Sequence, residues 1–366
     1  MMGDASMSDE FCRLAVDVVS WRLEAMPRES MEFGYLLTLV NDEQERAAVL
    51  RFLKAADQKR ALVSRLLAQA SCARALDIPF RSVRICRTKG RKPYCPAAKG
   101  FNFNISHEGD YVVLASEREC LVGVDVCSAH QIERLSAEDL ERSFRSSFTQ
   151  AEWNLILEKG MFSTFWSLKE SFVKARGDGL RFELGRLDFS KCDGTLLLDT
   201  ELQKDWHFDV EQLDAKHVAS VARGPYEAIV DEIGAFKRTM PRTNTRAIFS
   251  KERPPFRKLE VDDLLPEEYL ERLLTIRSNF HHAPLSSLSS IKLRGRPGLS
   301  DNNLFLLRSA QDIQEDDHQE EEEEEEEKQE QHEVRLRGAK EVSPTKLQQP
   351  TKQTMKKQQQ HRCRLS

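Results

Sequence analysis

Apolar and polar residues alternate along residues 101–106. Phe101, Phe103 and Ile105 interleave with Asn102, Asn104 and Ser106, the two-residue period of a half-buried strand. The next four residues, His107 to Asp110, read as a turn, and residues 111–115 as the returning strand of a hairpin. In residues 121–126, Val122, Val124 and Val126 share one face, and Asp125 points to the other beside Leu121 and Gly123. The period changes to helical over residues 165–180. Trp166, Glu170 and Lys174 lie four apart on one side, Phe165, Leu168, Phe172 and Val173 are left to dock on a core, and Gly177 and Gly179 end the helix.

The rest of the first 235 residues mixes both periods. Residues 11–21 and 34–40 read as strands. Residues 41–77 read as the longest helical stretch, with Ala47, Leu50, Leu62, Leu66 and Leu67 on its apolar face, a loose capping box at Asp42 and Glu45, and Pro79 as its stop. Residues 136–144 and 149–159 predict helices, the second opened by a Thr149–Glu152 capping box. Short strands follow at 186–189, 195–198, 207–210 and 217–222. The order implies an α+β fold with antiparallel sheets. After about residue 235 the apolar period fades. Residues 236–366 are expected to be a mostly disordered tail, with one amphipathic helix at 266–276 and an unbroken acidic run at 320–327, because such composition buries too little surface to offset ordering entropy.

Four residues stand out chemically. A carboxylate at Asp125 inside so apolar a strand needs a cation or hydrogen-bond donors, which makes it either a metal ligand or a satisfied structural aspartate. Glu170 and Lys174 are either a surface i,i+4 pair or site residues. His107, at a strand end, is either solvated or a ligand contact. Arg81, Arg84, Arg87, Lys89, Arg91 and Lys92 concentrate positive charge in one segment, as a solvated loop, a nucleic-acid patch or a phosphate site would.

Four segments together, RTKGRKPYC (87–95), FNFNISHEGDYVVLA (101–115), VGVDV (122–126) and WSLKESFVKARGDGL (166–180), resemble the 4′-phosphopantetheinyl transferase superfamily, and FTQAEW (148–153) fits its lead-in to the last motif. The likeness covers roughly residues 11–223 and is to the large monomeric type, nearest its eukaryotic members. It implies two similar α+β subdomains in a pseudo-twofold arrangement, here 1–119 and 120–235, with coenzyme A bound between them. It also implies transfer of 4′-phosphopantetheine from coenzyme A to a serine of an acyl or peptidyl carrier protein, with Mg2+. By resemblance Asp125 and Glu170 bind the metal, Glu170 is also the candidate base, Lys174 neutralises phosphate charge, His107 contacts the 3′-phosphate, and Arg87 and Lys92 belong to the coenzyme A site. Two positions depart from the pattern. Cys127 stands where many members have a second acid, and a neutral thiol is a poor magnesium ligand. Ala56 stands where an arginine is expected, with Lys54, Lys59 or Arg60 nearby to compensate.

Composition narrows the alternatives. The net charge of −5 hides strong segregation between the acidic run and the basic segments. Eight cysteines without a C-x-x-C pair, and no secretory h-region, lead to the expectation of reduced thiols in a cytoplasmic protein; the resemblance to the large type, which holds both halves of the site, implies a monomer. Arg294-Gly295-Arg296-Pro297 resembles an AT-hook core, the basis of a weaker nucleic-acid reading. A further alternative is an inactive scaffold of the transferase fold. The acidic run is expected to cover the basic site in imitation of a carrier protein.

Overall fold

The computed structural model describes residues 11–129, 135–179, 182–240 and 254–281. These belong to one compact unit, residues 1–290; the acidic run, the AT-hook-like residues and everything else in the second unit, 291–366, lie outside the described residues.

Strand β1 (Phe11–Asp17) is followed by three helices, α1 (Met31–Thr38), α2 (Glu43–Arg51) and α3 (Ala55–Leu76). Two expectations are corrected here. Residues 34–40, read as a strand, lie largely in α1, because Ser30 caps the helix by accepting from the Phe33 N–H (3.0 Å) and Phe33, Leu36 and Leu37 then form a buried stripe. The single long helix expected over 41–77 is two, since the chain is extended at Phe52 and Lys54. That break lets Val49 of α2 enter the same core as Leu62 and Leu66 of α3.

A short hairpin, β2 (Cys86–Arg87) and β3 (Pro93–Tyr94), precedes the long one, β4 (Asn102–Glu108) and β5 (Tyr111–Glu117). β4 runs two residues further than its pattern suggests, so His107 and Glu108 lie in the strand opposite Val112 and Tyr111. Next come β6 (Leu121–Ser128) and helices α4 (Ala137–Phe144), α5 (Gln150–Lys159) and α6 (Phe162–Arg176). The small strands β7 (Leu187–Asp188), β8 (Leu197–Leu198) and β9 (Glu201–Leu202) form their own sheet, and β10 (His207–Gln212) and β11 (His217–Gly224) follow.

Two larger sheets organise the fold, one in the order β12 (Arg257–Leu259), β1, β5, β4 and the other in the order β10, β11, β6. β4 and β6 meet at their edges without a backbone ladder. The side chains of alternate β4 residues take its place: Asn102 Oδ1 accepts from Val122 N (3.1 Å), Asn104 Oδ1 from Val124 N (3.0 Å), Ser106 Oγ from Val126 N (3.3 Å) and Glu108 Oε1 from Ser128 N (2.7 Å). The polar face of the alternating segment is therefore buried, and each β6 edge N–H is satisfied by a side chain.

The last described segment falls within the span expected to be a mostly disordered tail, and it is ordered. Residues 254–281 form β12 (Arg257–Leu259), which pairs parallel with β1, and α7 (Glu267–His281), the amphipathic helix read at 266–276. Leu259, Val261, Leu264, Leu265 and Leu273 enter the core around α3. Their spacing in sequence is too irregular to show a period, so only the docked structure reveals them as core. Among the described residues no helix is long and apolar enough to cross a membrane.

Candidate active site

Gly123 lets α6 lie directly on β6. A Cβ there would sit 2.0 Å from the Ser171 carbonyl oxygen and 2.3 Å from the Ala175 nitrogen. This close approach brings Lys174 to Asp125: Lys174 Nζ lies 2.5 Å from Asp125 Oδ1 and donates to Ser106 Oγ (2.9 Å), which itself donates to Asp125 Oδ1 (2.8 Å). Three residues from β4, β6 and α6 thus share one oxygen. The other, Asp125 Oδ2, is buried and has no hydrogen-bond partner among the described residues.

Burial raises the Asp125 carboxyl above the usual carboxylate range, against the pull of Lys174 and Ser106. For Lys174 burial acts downward, but Asp125 and Glu170 outweigh it and hold the ammonium above its ordinary value. Its side chain is 31% exposed, so it still reaches solvent. Glu170, one turn earlier on α6, is half-buried. Burial keeps the Cys127 thiol protonated, and burial raises the Glu108 carboxyl beside it.

The opposite face of β4 presents His107 to solvent near the cations of α3. Partial desolvation against the neighbouring protein, then the charges of Lys174, Arg60 and Arg65, lower its pKa to about 4. Arg65 is held by Glu45, with Nε 2.8 Å from Oε2, while the other Glu45 oxygen lies 3.6 Å from Arg87 Nε. The Glu45 carboxylate does not complete the loose capping box at Asp42; it turns to these two arginines instead. Arg60 binds Asp57 and the Gly109 carbonyl. Of the three residues proposed to stand in for the arginine missing at Ala56, Arg60 is the one that reaches the His107 turn; Lys59 donates to the Trp21 carbonyl.

Lys92 sits apart from these cations. It is 2% exposed, and its Nζ donates inward to the carbonyls of Val122 (2.7 Å) and Lys174 (3.3 Å). Burial pushes its pKa down to about 7. In this structure it ties the β2–β3 hairpin to β6 and α6 and does not face solvent. Asp125, Glu170 and Lys174 are brought together, His107 and Arg87 line the neighbouring cationic surface, and Ser106, Arg65 and Glu45 join them. Sequence reasoning gave these last three no role in the site. Ser106 had a signal, its polar side chain on the alternating segment; Arg65 and Glu45 had none, since they lie twenty residues apart on different helices.

Residues 26–119 match the family model described as 4′-phosphopantetheinyl transferase, N-terminal, and residues 121–222 match that of the 4′-phosphopantetheinyl transferase superfamily. A phosphopantetheinyl transferase from Thraustochytrium sp. is 34% identical over 226 residues, covering 57% of this chain and 76% of that one. The chain belongs to the 4′-phosphopantetheinyl transferase superfamily. The L-aminoadipate-semialdehyde dehydrogenase-phosphopantetheinyl transferases of Mus musculus and Homo sapiens are each 36% identical over 202 residues, 49% of this chain. The match spans 65% of those relatives' length. Within this transferase-family chain, residues 254–281 lie beyond both matched family spans.

The depressed His107 pKa carries a pH dependence of stability. Above pH 6.5 the imidazole is neutral in both folded and unfolded chains. Below it the unfolded chain takes up the proton first, so stability falls as pH drops from 6.5 toward about 4. The ring is exposed, which limits the loss to about 1 kcal/mol. Urea midpoints of wild type and His107→Gln are expected to diverge over that window, the variant being less acid-sensitive; parallel curves would exclude the effect.

Proposed function

We propose that this chain transfers 4′-phosphopantetheine from coenzyme A to a serine hydroxyl of an apo carrier protein, releasing adenosine 3′,5′-bisphosphate. The observation that carries the reading is Asp125: one oxygen fixed by Lys174 and Ser106, the other buried and unpaired, in a chain of this superfamily. An orphaned buried carboxylate oxygen is costly unless something binds it. Among the described residues no three His, Cys, Asp or Glu side chains form a ready-made metal site. Magnesium takes only one or two protein carboxylates and completes its shell with water and substrate phosphate, so the hard oxygens of Asp125 and Glu170 fit it and the thiol of Cys127 does not. When bound there, the ion would neutralise pyrophosphate charge.

The protein's own residues do the rest. Lys174 offsets phosphate charge beside Asp125, and Ser106 keeps that carboxylate oriented. Glu170 accepts the serine proton, directly or through a water, as the serine oxygen attacks the β-phosphorus. The bond from that phosphorus to the bridging oxygen breaks, and its electron pair leaves with the nucleotide bisphosphate. His107, Arg60, Arg65 and Arg87 face the nucleotide phosphates. Lys92 supports the site through its bonds to the Val122 and Lys174 carbonyls. The same reading includes a cytoplasmic monomer.

Intact mass of an apo carrier protein, incubated with this chain, coenzyme A and magnesium, tests the proposal. One added phosphopantetheine is expected, with initial rates at least about 100-fold lower for Asp125→Ala and Glu170→Ala. No addition to any of several carrier proteins would overturn the function. Wild-type turnover by Glu170→Ala would remove it as base.

A further inference from the structure

His217 is buried, 2% exposed, and the mechanism above does not use it. It belongs to β11, yet its ring reaches the β4–β5 turn, where Nε2 accepts the Asp110 backbone N–H at 3.2 Å. A backbone N–H can only donate, so Nε2 carries no proton and the proton is on Nδ1. Nδ1 accordingly donates to Asp214, 2.9 Å from Oδ1. Asp214 is fixed in turn by the N–H groups of Lys216 (2.8 Å) and His217 (2.9 Å), and the His217 ring packs edge-on against Tyr111.

The turn is shaped around that ring. Gly109 has φ +56°, and a Cβ there would lie 2.2 Å from His217 Nε2. On the other side of the same turn, the Gly109 carbonyl accepts from Arg60. His107 stands two residues before Gly109. One short turn therefore connects His217 and Asp214, from the second half, to His107 and Arg60, from the first.

We propose that His217, oriented by Asp214, is a positioning residue for the phosphate subsite formed by His107 and Arg60. Without it the turn loses the acceptor for Asp110 N–H and the surface against which Gly109 is set, and the Arg60 anchor and the His107 backbone shift together. The inference rests on the reading that this subsite takes the extra phosphate of the adenosine 3′,5′-bisphosphate moiety. It requires that removing His217 weaken recognition of that phosphate selectively.

Calorimetric binding of adenosine 3′,5′-bisphosphate and of AMP to the full chain tests it. The wild type is expected to prefer the bisphosphate at least tenfold. His217→Ala should reduce that preference about fivefold or more while leaving AMP affinity within twofold, and His217→Gln, whose carbonyl can accept the Asp110 N–H, should restore most of it. A purely structural loss would weaken both nucleotides alike and would not be rescued. If His217→Ala fails to fold, Asp214→Ala decides: a reduced preference supports the proposal and an unchanged one overturns it. A wild type without preference would overturn the underlying subsite reading. A wild type with preference that His217→Ala retains would overturn the positioning role alone.

Discussion

Ending the chain after residue 253 is expected to leave no cooperatively folded protein, whereas ending it after residue 290 should preserve the native unfolding transition. The shorter chain lacks β12 and α7. With them go five nearly fully buried side chains, Leu259, Val261, Leu264, Leu265 and Leu273. At about 1.5–3 kcal/mol each, their burial contributes about 8–15 kcal/mol, which is the whole net stability of an ordinary domain. Two further losses act in the same direction. β1 would present an unpaired edge where Leu14, Ala15 and Val16 now face Arg257, Lys258 and Leu259, an invitation to aggregation. Glu32, 4% exposed, would lose both of its bonds from Arg277 (2.9 and 2.6 Å) and keep the Trp21 indole N–H (2.8 Å). Soluble yield and urea unfolding followed by circular dichroism would check this. A wild-type midpoint for the 253-residue chain would show that the segment is dispensable. The same argument decides how the acidic run should be tested for covering the basic site: a cut at 240 removes β12 and α7 too, so the cut belongs after 290.

Lys169→Met is expected to cost about 3–5 kcal/mol of stability, far more than loss of a surface ion pair. Lys169 and Glu152 are both fully buried, with Nζ 2.7 Å from Oε2. Burial lowers the Lys169 pKa and Glu152 opposes that shift. Nζ also donates to the carbonyls of Ser147 (3.0 Å), Leu184 (3.0 Å) and Leu187 (2.6 Å), and Glu152 accepts from Thr149 N (2.9 Å) and Phe189 N (2.8 Å). Methionine fills the space but leaves a buried carboxylate without its cation and three carbonyls without a donor. The double variant Glu152→Gln/Lys169→Met removes the stranded charge and should recover a measurable part of the loss. Urea midpoints of the two single variants and the double variant give the coupling directly. Strict additivity would mean that the pair does not act as a unit. Because α6 carries Glu170 and Lys174, the same pair also sets where those side chains stand.

This pair illustrates how legibility ran out. The Thr149–Glu152 capping box was readable from four residues, and both its hydrogen bonds are present. That the Glu152 carboxylate also meets Lys169, seventeen residues away, has no local signature. The stripe of α6 is similar. Phe165, Leu168, Phe172 and Val173 were readable as the docking side and are buried, yet Lys169 between them is just as buried. A lysine is read as solvent-facing by its charge, and only the convergence of a carboxylate and three carbonyls makes its burial possible.

Periodicity and local chemistry determined by themselves the α+β class, the long hairpin, the β6 strand with Asp125 off its apolar face, and the spacing of Glu170 and Lys174 on one helix. Those depend on contacts within a few residues, which a chain carries in its own order. The tertiary structure alone decided which oxygen of Asp125 is occupied, that Asn102, Asn104, Ser106 and Glu108 replace a backbone ladder, that Lys92 points inward, that Glu45 holds Arg65 and Arg87, and that residues 254–281 complete the first sheet. Each of these is a pairing of polar or apolar groups distant in sequence. Their partners become defined only when burial removes water as the alternative partner, and that happens in the folded chain.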